Sequence, residues 1–330
     1  MTVVLISMII ISTGMGYIKL PPLTVVKIIV AKLSGQTNLL EGVDSIFPVV
    51  VMDVRLPRIL SAAIVGAGLA MSGVVFQGIL LNPLADPYTL GVSAGAAFGA
   101  SLAILFNIGM MGTYSIPLFA FAGAAATLLF VLYLSSSSGG LSSNNLILSG
   151  IIVAAILSAG ISFLKYVADE QVAVIIFWLM GSFGSKTWTD VSLTLMFILI
   201  GFSAFMFFAR DMNLLALGSR TASSLGVNTR KVTIFLLITA SLIAAICVSV
   251  SGIIGFVGLL VPHMMRLLTG PDNRRLIPMS FLAGATLLLI ADTITRAVLP
   301  SEIPIGVLTA LIGGPFFCYI FRKQQKTRKV

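Results

Sequence analysis

Three arginines and one aspartate carry the clearest potential for chemistry in this sequence. Arg55 and Arg58 are one helical turn apart, where a polar stretch passes into a long apolar one. Asp292 precedes Arg296 by four residues, the favourable order for an ion pair on a helix. Two interpretations follow. Either the arginines anchor helix ends beside a local ion pair, or Arg55, Arg58 and Arg296 form a basic rim that receives acidic residues of an external partner.

Two further motifs indicate chemistry that their surroundings do not support. The stretch Gly91 to Gly95 (GVSAG) matches the nucleophile elbow of serine hydrolases, which needs a preceding strand and a nearby histidine. The single histidine, His263, lies in another apolar segment without a flanking cysteine or carboxylate. We therefore expect close helix packing through Gly91, Gly95 and Gly99, a structural hydrogen bond for His263, and no metal site. An intramembrane serine hydrolase with Ser93 as nucleophile stays as an alternative.

The charged residues are scarce within the long apolar segments, which bears on whether these segments could form an ion-coupled carrier. No Asp, Glu, Lys or Arg lies near the middle of a predicted span, whereas proton- and sodium-coupled carriers usually hold a carboxylate or a broken helix with polar ligands at membrane depth. The chain also lacks the Gly-x-x-x-x-Gly-Lys-Ser/Thr phosphate loop. We expect a near-neutral pathway for a bulky solute, no cofactor, no catalytic residue, and an ATPase on a separate chain. An ion-coupled secondary transporter is the alternative.

The composition indicates whether the elements that hold these residues lie in water or in lipid. Of 330 residues, 58% are hydrophobic and 9% charged, and the mean hydropathy is +1.10. Soluble domains have about 25% charged residues, so this chain lacks the charges to cover a water-exposed surface. The apolar runs are continuous, which favours helices over a barrel. The net charge of +9 lies in loops and tail, so we expect lipid rather than nucleic acid as the partner.

The pattern of apolar runs predicts an all-α polytopic membrane protein with about ten transmembrane helices in one domain, residues 1–330. A polar excursion over 20–57 follows the first helix, and its Val25 to Leu33 stretch is amphipathic enough to lie on the membrane surface. The predicted spans are 2–19, 58–81, 90–108, 116–134, 143–166, 191–209, 231–250, 253–268, 276–298 and 304–321.

The basic residues give the expected orientation. The C-terminal tail from Arg322 to Lys329 is strongly basic, so we place both termini, and the loop over 210–231, in the cytoplasm. Leu217 to Gly226 lies within that loop, and Ser219 and Gly226 have the residue types that begin and end a helix. We expect either a short helix along the membrane surface or a bare linker.

At these residues the chain resembles the FecCD-type permeases, subunits of the type II ATP-binding-cassette (ABC) importers for iron-siderophore, haem and vitamin B12. The resemblance covers most of the chain and rests on several ordered motifs. These are Val54 to Arg58, Gly73 followed by Asn82 to Pro87 and Leu90 to Ser93, Trp178 to Gly184, Leu215 to Gly218, Gly255 to Leu259, Pro262 to Arg266, and Pro304 to Gly306.

The resemblance implies a homodimer with the pathway at its interface in the cytoplasmic (inner) membrane. Two ABC ATPase subunits would dock on the coupling helix: Leu217, Gly218, Ser219, Arg220, Thr221, Ala222, Ser223, Ser224, Leu225 and Gly226. An extracytoplasmic substrate-binding protein would dock on Arg55, Arg58 and Arg296. The inner gate would fall at Asn82 and Leu84, with Ser143 and Asn144 opposite. Iron-siderophore is the expected cargo. Haem, vitamin B12 and molybdate or tungstate are alternatives.

Overall fold

The computed structural model describes residues 1–16, 18–109, 112–136, 142–297 and 302–327. Most of the Ser/Gly-rich stretch from Ser135 to Gly140, which the sequence predicts as a loop, and the end of the basic tail lie outside these ranges. Within them the regular elements are all helical, which confirms the expected fold class. The α-helices are α1 Thr2–Gly14, α2 Pro22–Ser34, α3 Ile46–Val49, α4 Leu56–Ile79, α5 Val92–Leu105, α6 Ser115–Ser136, α7 Ser143–Val167, α8 Val172–Leu179, α9 Trp188–Phe207, α10 Ala209–Leu215, α11 Ser219–Ser224, α12 Thr229–Ser251, α13 Val257–Thr269, α14 Asn273–Ala297 and α15 Ile305–Thr327. Short 3-10 turns occupy Thr37–Leu40, Pro87–Leu90, Gly112–Tyr114 and Asp169–Gln171, and a π-helical turn, Val50–Arg55, joins α3 to α4.

Every predicted span contains an apolar helix. Six helical stretches of the described residues are long and apolar enough to cross a membrane, and α1, α5, α13 and the apolar part of α15 are shorter. The burial of these helices differs widely. The most apolar window is 89% buried in the stretch Ile46–Ile79 but 22% buried in α7. The central helix is therefore α4, whereas α7 lies at the periphery of the single chain.

Small residues let neighbouring helices approach α4 closely. A Cβ added at Gly66 would lie 2.3 Å from the carbonyl oxygen of Gly284 on α14. A Cβ added at Gly73 would lie 1.7 Å from the carbonyl oxygen of Gly258 on α13. Neither position has room for a methyl group, so these glycines fix the distance between backbones, as small residues do in membrane helix pairs.

The excursion over 20–57 is more ordered and more buried than expected. Its α2 is amphipathic as predicted, but its apolar residues Val25 and Ile28 pack in a small core with Leu20, Val51 and Leu56. The helical stretch that contains α4 begins at Ile46, not at residue 58. The sequence did not predict this earlier start, because Asp53, Arg55 and Pro57 interrupt the apolar run. A proline is nevertheless tolerated in the first turn of a helix.

Helices α5 and α13 begin inside the protein body instead of at its edge. The expected spans did not anticipate these buried starts. Before α5 the chain turns at Leu81 and re-enters as the 3-10 turn Pro87–Leu90. Before α13 the residues from Gly252 to Phe256 are not helical, and Phe256 has a φ of +67°. The two breaks meet, since the Tyr88 hydroxyl donates a hydrogen bond of 2.8 Å to the Ile254 carbonyl.

The carboxylate beside the first break is satisfied within its own turn. Asp86 Oδ1 accepts hydrogen bonds from the backbone N–H of Tyr88 and Thr89, at 3.1 and 2.9 Å, and from the Thr89 hydroxyl at 2.9 Å. A carboxylate used in this way caps a helical turn. Broken helices are thus present, and the Asp86 carboxylate beside the first one is engaged within its own turn.

Candidate docking and coupling sites

The three arginines predicted to form a basic rim converge on one end of the molecule, but they do not stand free in solvent. The Arg55 Nη atoms donate to the carbonyls of Thr13 and Ile18 at 2.8 and 2.6 Å. Arg296 donates to the carbonyls of Ser12 and Met15. Both guanidinium groups therefore bind carbonyls at the end of α1, where a helix leaves its last carbonyl groups without internal partners.

Arg58 is held differently, by two carboxylates. Its Nε lies 3.0 Å from Oδ1 of Asp292, and its Nη1 lies 3.1 Å from Oε1 of Glu302. The side chain of Asp292 is 2% exposed, that of Arg58 13% and that of Glu302 61%. Asp292 also pairs with Arg296 at 3.4 Å. The i, i+4 ion pair expected on α14 is therefore present, and Arg58 joins it from α4.

We call Arg55, Arg58, Asp292, Arg296 and Glu302 the arginine cluster. Its formal charge is +1, because three arginines face two carboxylates. Sequence reasoning found the arginines and Asp292 but missed Glu302. The available signal was an acidic residue two positions before the Pro304 motif, at the same predicted end of the chain as Arg296.

The predicted coupling segment, Leu217–Gly226, contains the short helix α11, so the bare-linker interpretation is wrong. The backbone N–H of Ala222 donates to the Gly218 carbonyl at 3.0 Å, and that of Gly226 to the Ser223 carbonyl at 3.0 Å. The expected cap needs one correction. Gly218, with a φ of +99°, precedes the helix as its N-cap, and Ser219 is its first residue.

One buried residue holds α11 on the body while its other side faces outward. Ala222 is fully buried in the main core, whereas Leu217 and Leu225 are 63% and 58% exposed. Arg220 is exposed between them. The outward side of α11 therefore presents Arg220 between two exposed leucines.

A hydrogen-bonded trio fastens this region to α14. Asn213 of α10 donates from Nδ2 to Oδ1 of Asp272 at 2.6 Å. Its Oδ1 accepts from the backbone N–H and the Nδ2 of Asn273, at 2.9 and 2.8 Å. We call Asn213, Asp272 and Asn273 the Asn213 clamp. The clamp brings the loop over 210–231 and the turn before α14 to the same end of the molecule.

The clamp and the arginine cluster lie at opposite ends of one helix. Nineteen residues separate Asn273 from Asp292 along α14, which at about 1.5 Å per residue is about 28 Å. That distance is close to the hydrocarbon thickness of a bilayer, about 30 Å. A single packed helix therefore connects the two predicted partner sites.

The four predicted gate residues lie on two segments of the chain. The structure shows these segments in contact at other residues. Asn82 accepts a hydrogen bond of 2.9 Å from the Leu84 backbone N–H, so this pair forms a turn after α4. Ser143 and Asn144 open α7. The contact between the segments occurs further along, where a Cβ at Gly150 would lie 2.2 Å from the Thr89 carbonyl oxygen.

The elbow-like motif packs as predicted and has no hydrolase setting. Gly91 precedes α5 as its cap, so a 3-10 turn rather than a strand leads into Ser93. A Cβ at Gly95 would lie 2.5 Å from the Gly123 carbonyl oxygen on α6, and one at Gly99 would lie 2.1 Å from the Phe119 carbonyl oxygen. Among the described residues no group of three His, Cys, Asp or Glu side chains could hold a metal ion.

Comparison with known proteins gives one consistent result. The model of the FecCD transport family matches residues 4–323. The molybdate import permease MolB of Haemophilus influenzae is 38% identical over 99% of this chain and 95% of its own. The Fe(3+)-citrate import permease YfmE of Bacillus subtilis is 38% identical over 98% of this chain and 93% of its own. An inward-facing ABC transporter assigned to the metal-chelate type superimposes with a TM-score of 0.85 at 36% identity, over 98% and 97% of the two chains. The chain therefore belongs to the FecCD transport family of ABC importer permeases, membrane subunits whose ATPase is a separate partner.

Proposed function

We propose that this chain is the permease that carries a bulky iron-siderophore across the cytoplasmic membrane, with ATP hydrolysed only by its partner. The observation that carries this proposal is the arrangement of two partner surfaces at the two ends of α14, with a nearly charge-free helical body between them. Relatives of equal similarity are named for molybdate and Fe(3+)-citrate import, so similarity alone does not select among the cargoes. Haem, vitamin B12 and molybdate or tungstate are the alternative cargoes for an importer of the same class.

The inner partner would be the ATPase, bound at Leu217–Gly226. The exposed Leu217, Arg220 and Leu225 support this role, and the Asn213 clamp supplies a rigid link from that segment to α14. The basic residues Arg210, Arg220, Arg230 and Lys231 share this end with Arg274 and Arg275. That concentration supports a cytoplasmic position for this end and for both termini.

The outer partner would be a substrate-binding protein bound at the arginine cluster. The geometry divides the three predicted docking residues. Arg55 and Arg296 are hydrogen-bonded to carbonyls at and just after the end of α1. Arg58 is the arginine whose second partner, Glu302, faces solvent. We therefore assign the direct contact with the binding protein to Arg58 and a supporting role to the other two.

A second copy of this chain would complete the pathway. The exposed side of α7 carries Asn144, Ser158 and Ser162 among apolar residues. Serine and asparagine side chains hydrogen-bond across the contacts where membrane helices pack against each other. This supports a homodimer whose interface includes α7, with Ser143 and Asn144 at its inner mouth and Asn82 and Leu84 as the other gate residues.

Uptake in proteoliposomes tests the proposal. The permease, its ATPase and its binding protein are reconstituted, and entry of a ⁵⁵Fe-siderophore is measured with ATP inside. We expect uptake that requires ATP and survives collapse of the pH and sodium gradients. Uptake without the ATPase, driven by either gradient, would refute it in favour of the ion-coupled carrier.

A variant that lacks Ser219–Gly226 tests the coupling role in the same vesicles. We expect ATP hydrolysis to become independent of the binding protein and uptake to stop. The control deletes Gly35 and Gln36, two exposed residues outside the helices that carry no proposed partner. Normal uptake by the variant that lacks the segment would contradict the assigned role.

A further inference from the structure

The guanidinium of Arg58 is shared between an inner and an outer carboxylate. Besides the contacts with Oδ1 and Oε1, its Nε lies 3.3 Å from Oδ2 of Asp292, and its Nη1 lies 3.3 Å from Oε2 of Glu302. Asp292 is nearly inaccessible, whereas Glu302 is mostly in solvent. The two partners of Arg58 therefore differ in how readily another group can replace them.

A cavity opens beside this shared guanidinium. It has a volume of about 200 Å³ and includes both carboxylates and Arg58 in its wall. Phe177, Ser182 and Thr295 form other parts of the wall. A single water needs roughly 10–15 Å³ of such space, so a side chain can enter. An incoming carboxylate would meet Arg58 and the negative charge of Glu302 at once.

The charges decide how that encounter ends. While Glu302 remains in place, an entering carboxylate is attracted by Arg58 and repelled by Glu302. When Glu302 swings into solvent, the newcomer takes its place on Nη1 and the formal charge of the site is unchanged. An exposed ion pair contributes little because water competes for both partners, so the exchange has a small cost. The pair with Asp292 stays and holds the guanidinium in position.

We infer that Glu302 occupies Arg58 in the free permease and is displaced by a carboxylate side chain of the binding protein when it docks. This rests on the docking role proposed above. Glu302 thus weakens docking by competition and allows the binding protein to leave after delivery. The partner chemistry is one carboxylate per permease chain, presented on a protein surface.

The test measures binding of the substrate-binding protein of this importer to the complete complex in nanodiscs at 0.15 M salt. Glu302→Gln removes the competing charge and keeps the shape of the side chain. We expect a Kd lower by up to about fivefold, the fold-change that corresponds to an exposed ion pair. In the Arg58→Gln background the same change should not alter the Kd, because the guanidinium for which the two carboxylates compete is absent.

Two controls separate competition from general electrostatics and from misfolding. Glu170→Gln removes another exposed negative charge of the same predicted side, and its Kd should equal that of the unaltered complex. Glu302→Asp keeps the charge but has a shorter reach, so its Kd should fall between those of the unaltered complex and Glu302→Gln. Each variant must retain its ATPase subunit on size-exclusion chromatography.

The outcomes distinguish the inference from the proposed function. Equal Kd values for the unaltered complex and Glu302→Gln would overturn the competition while leaving docking in place. An equal gain in the presence and absence of Arg58 would also overturn it. An Arg58→Gln complex that binds the binding protein with the Kd of the unaltered complex would instead refute the docking role itself.

Discussion

Asn213 and Asp272 are joined by a hydrogen bond of 2.6 Å that crosses 59 residues of sequence. The donor belongs to α10, directly before the predicted coupling segment, and the acceptor caps the first turn of α14. A force on the segment therefore reaches α14 through a side chain with two fixed partners, and α14 ends at the arginine cluster. The two proposed docking surfaces are therefore connected through this helix.

Asn213→Ala should loosen this connection. The change leaves the buried Asn273 amide without its partner, so we expect a loss of about 1–3 kcal/mol in the free energy of unfolding from this group. Transport should suffer more than ATP hydrolysis, and the ratio of cargo imported to ATP hydrolysed in proteoliposomes should fall. The control is Asn228→Ala, which removes the cap of α12 at a cost of about 0.5–2 kcal/mol. An equal fall in the ratio for both variants would show that stability alone explains the effect.

The same bond makes the stability of the clamp depend on pH. The Asn213 amide, followed by the Arg274 backbone N–H, holds the pKa of Asp272 below its ordinary value of 3.8. Because the pKa is lower in the folded state, the contribution of the carboxylate is fully present above pH 3.8 and is lost as the pH falls through the folded pKa. Thermal unfolding in detergent between pH 6 and 3 should show this acid-side loss.

Two variants identify the group responsible. In Asn213→Ala the pKa of Asp272 should return toward 3.8, so the pH dependence attributable to this group should shrink. In the Asp272→Asn variant, residue 272 cannot titrate. Adding Asn213→Ala to this variant should therefore change the free energy of unfolding by the same amount at every pH. A pH-dependent difference in the Asp272→Asn background would assign the effect to another carboxylate.

The sequence was a good guide to the helices and a poor guide to their interruptions. The apolar runs identify the helices, because a helix is the way a continuous apolar segment satisfies its backbone groups inside a bilayer. The break at Gly252–Phe256 depends on tertiary contacts, such as the Tyr88 hydroxyl on the Ile254 carbonyl. Its residues are apolar or glycine, so hydropathy did not separate it from α13, whereas the polar and proline residues from Asn82 to Pro87 did interrupt the expected spans.

The charged sites show the same division. The i, i+4 spacing of Asp292 and Arg296 predicted their ion pair, because both residues lie on one helix. The participation of Arg58 and Glu302 depends on how α4 and the segment before α15 meet α14, which spacing does not encode. The Asn213 clamp was missed for this reason too, since asparagines in loops are common and carry no charge pattern.

Gly73→Ala should disrupt the packing of α13 against α4. The added methyl group would lie 1.7 Å from the Gly258 carbonyl oxygen, and backbone, unlike a side-chain tip, has little freedom to move aside. Overpacking of this kind costs about 1–3 kcal/mol or more, so we expect a clear fall in melting temperature and in the yield of assembled complex. Gly255→Ala is the control, since a Cβ there meets nothing within 4 Å. Equal melting temperatures for the two variants would contradict the close contact.

Arg296→Gln should release the end of α1 more than it weakens docking. The guanidinium donates to the carbonyls of Ser12 and Met15, and hydrogen bonds to charged groups are worth about 1.5–3 kcal/mol. Hydrogen exchange of the α1 amides, followed by mass spectrometry, should therefore be faster by roughly 10-fold to 100-fold. The control is Lys19→Gln, which removes an exposed positive charge near the same end and should leave exchange unchanged. Unaltered α1 exchange together with a large loss of binding-protein affinity would return Arg296 to a direct docking role.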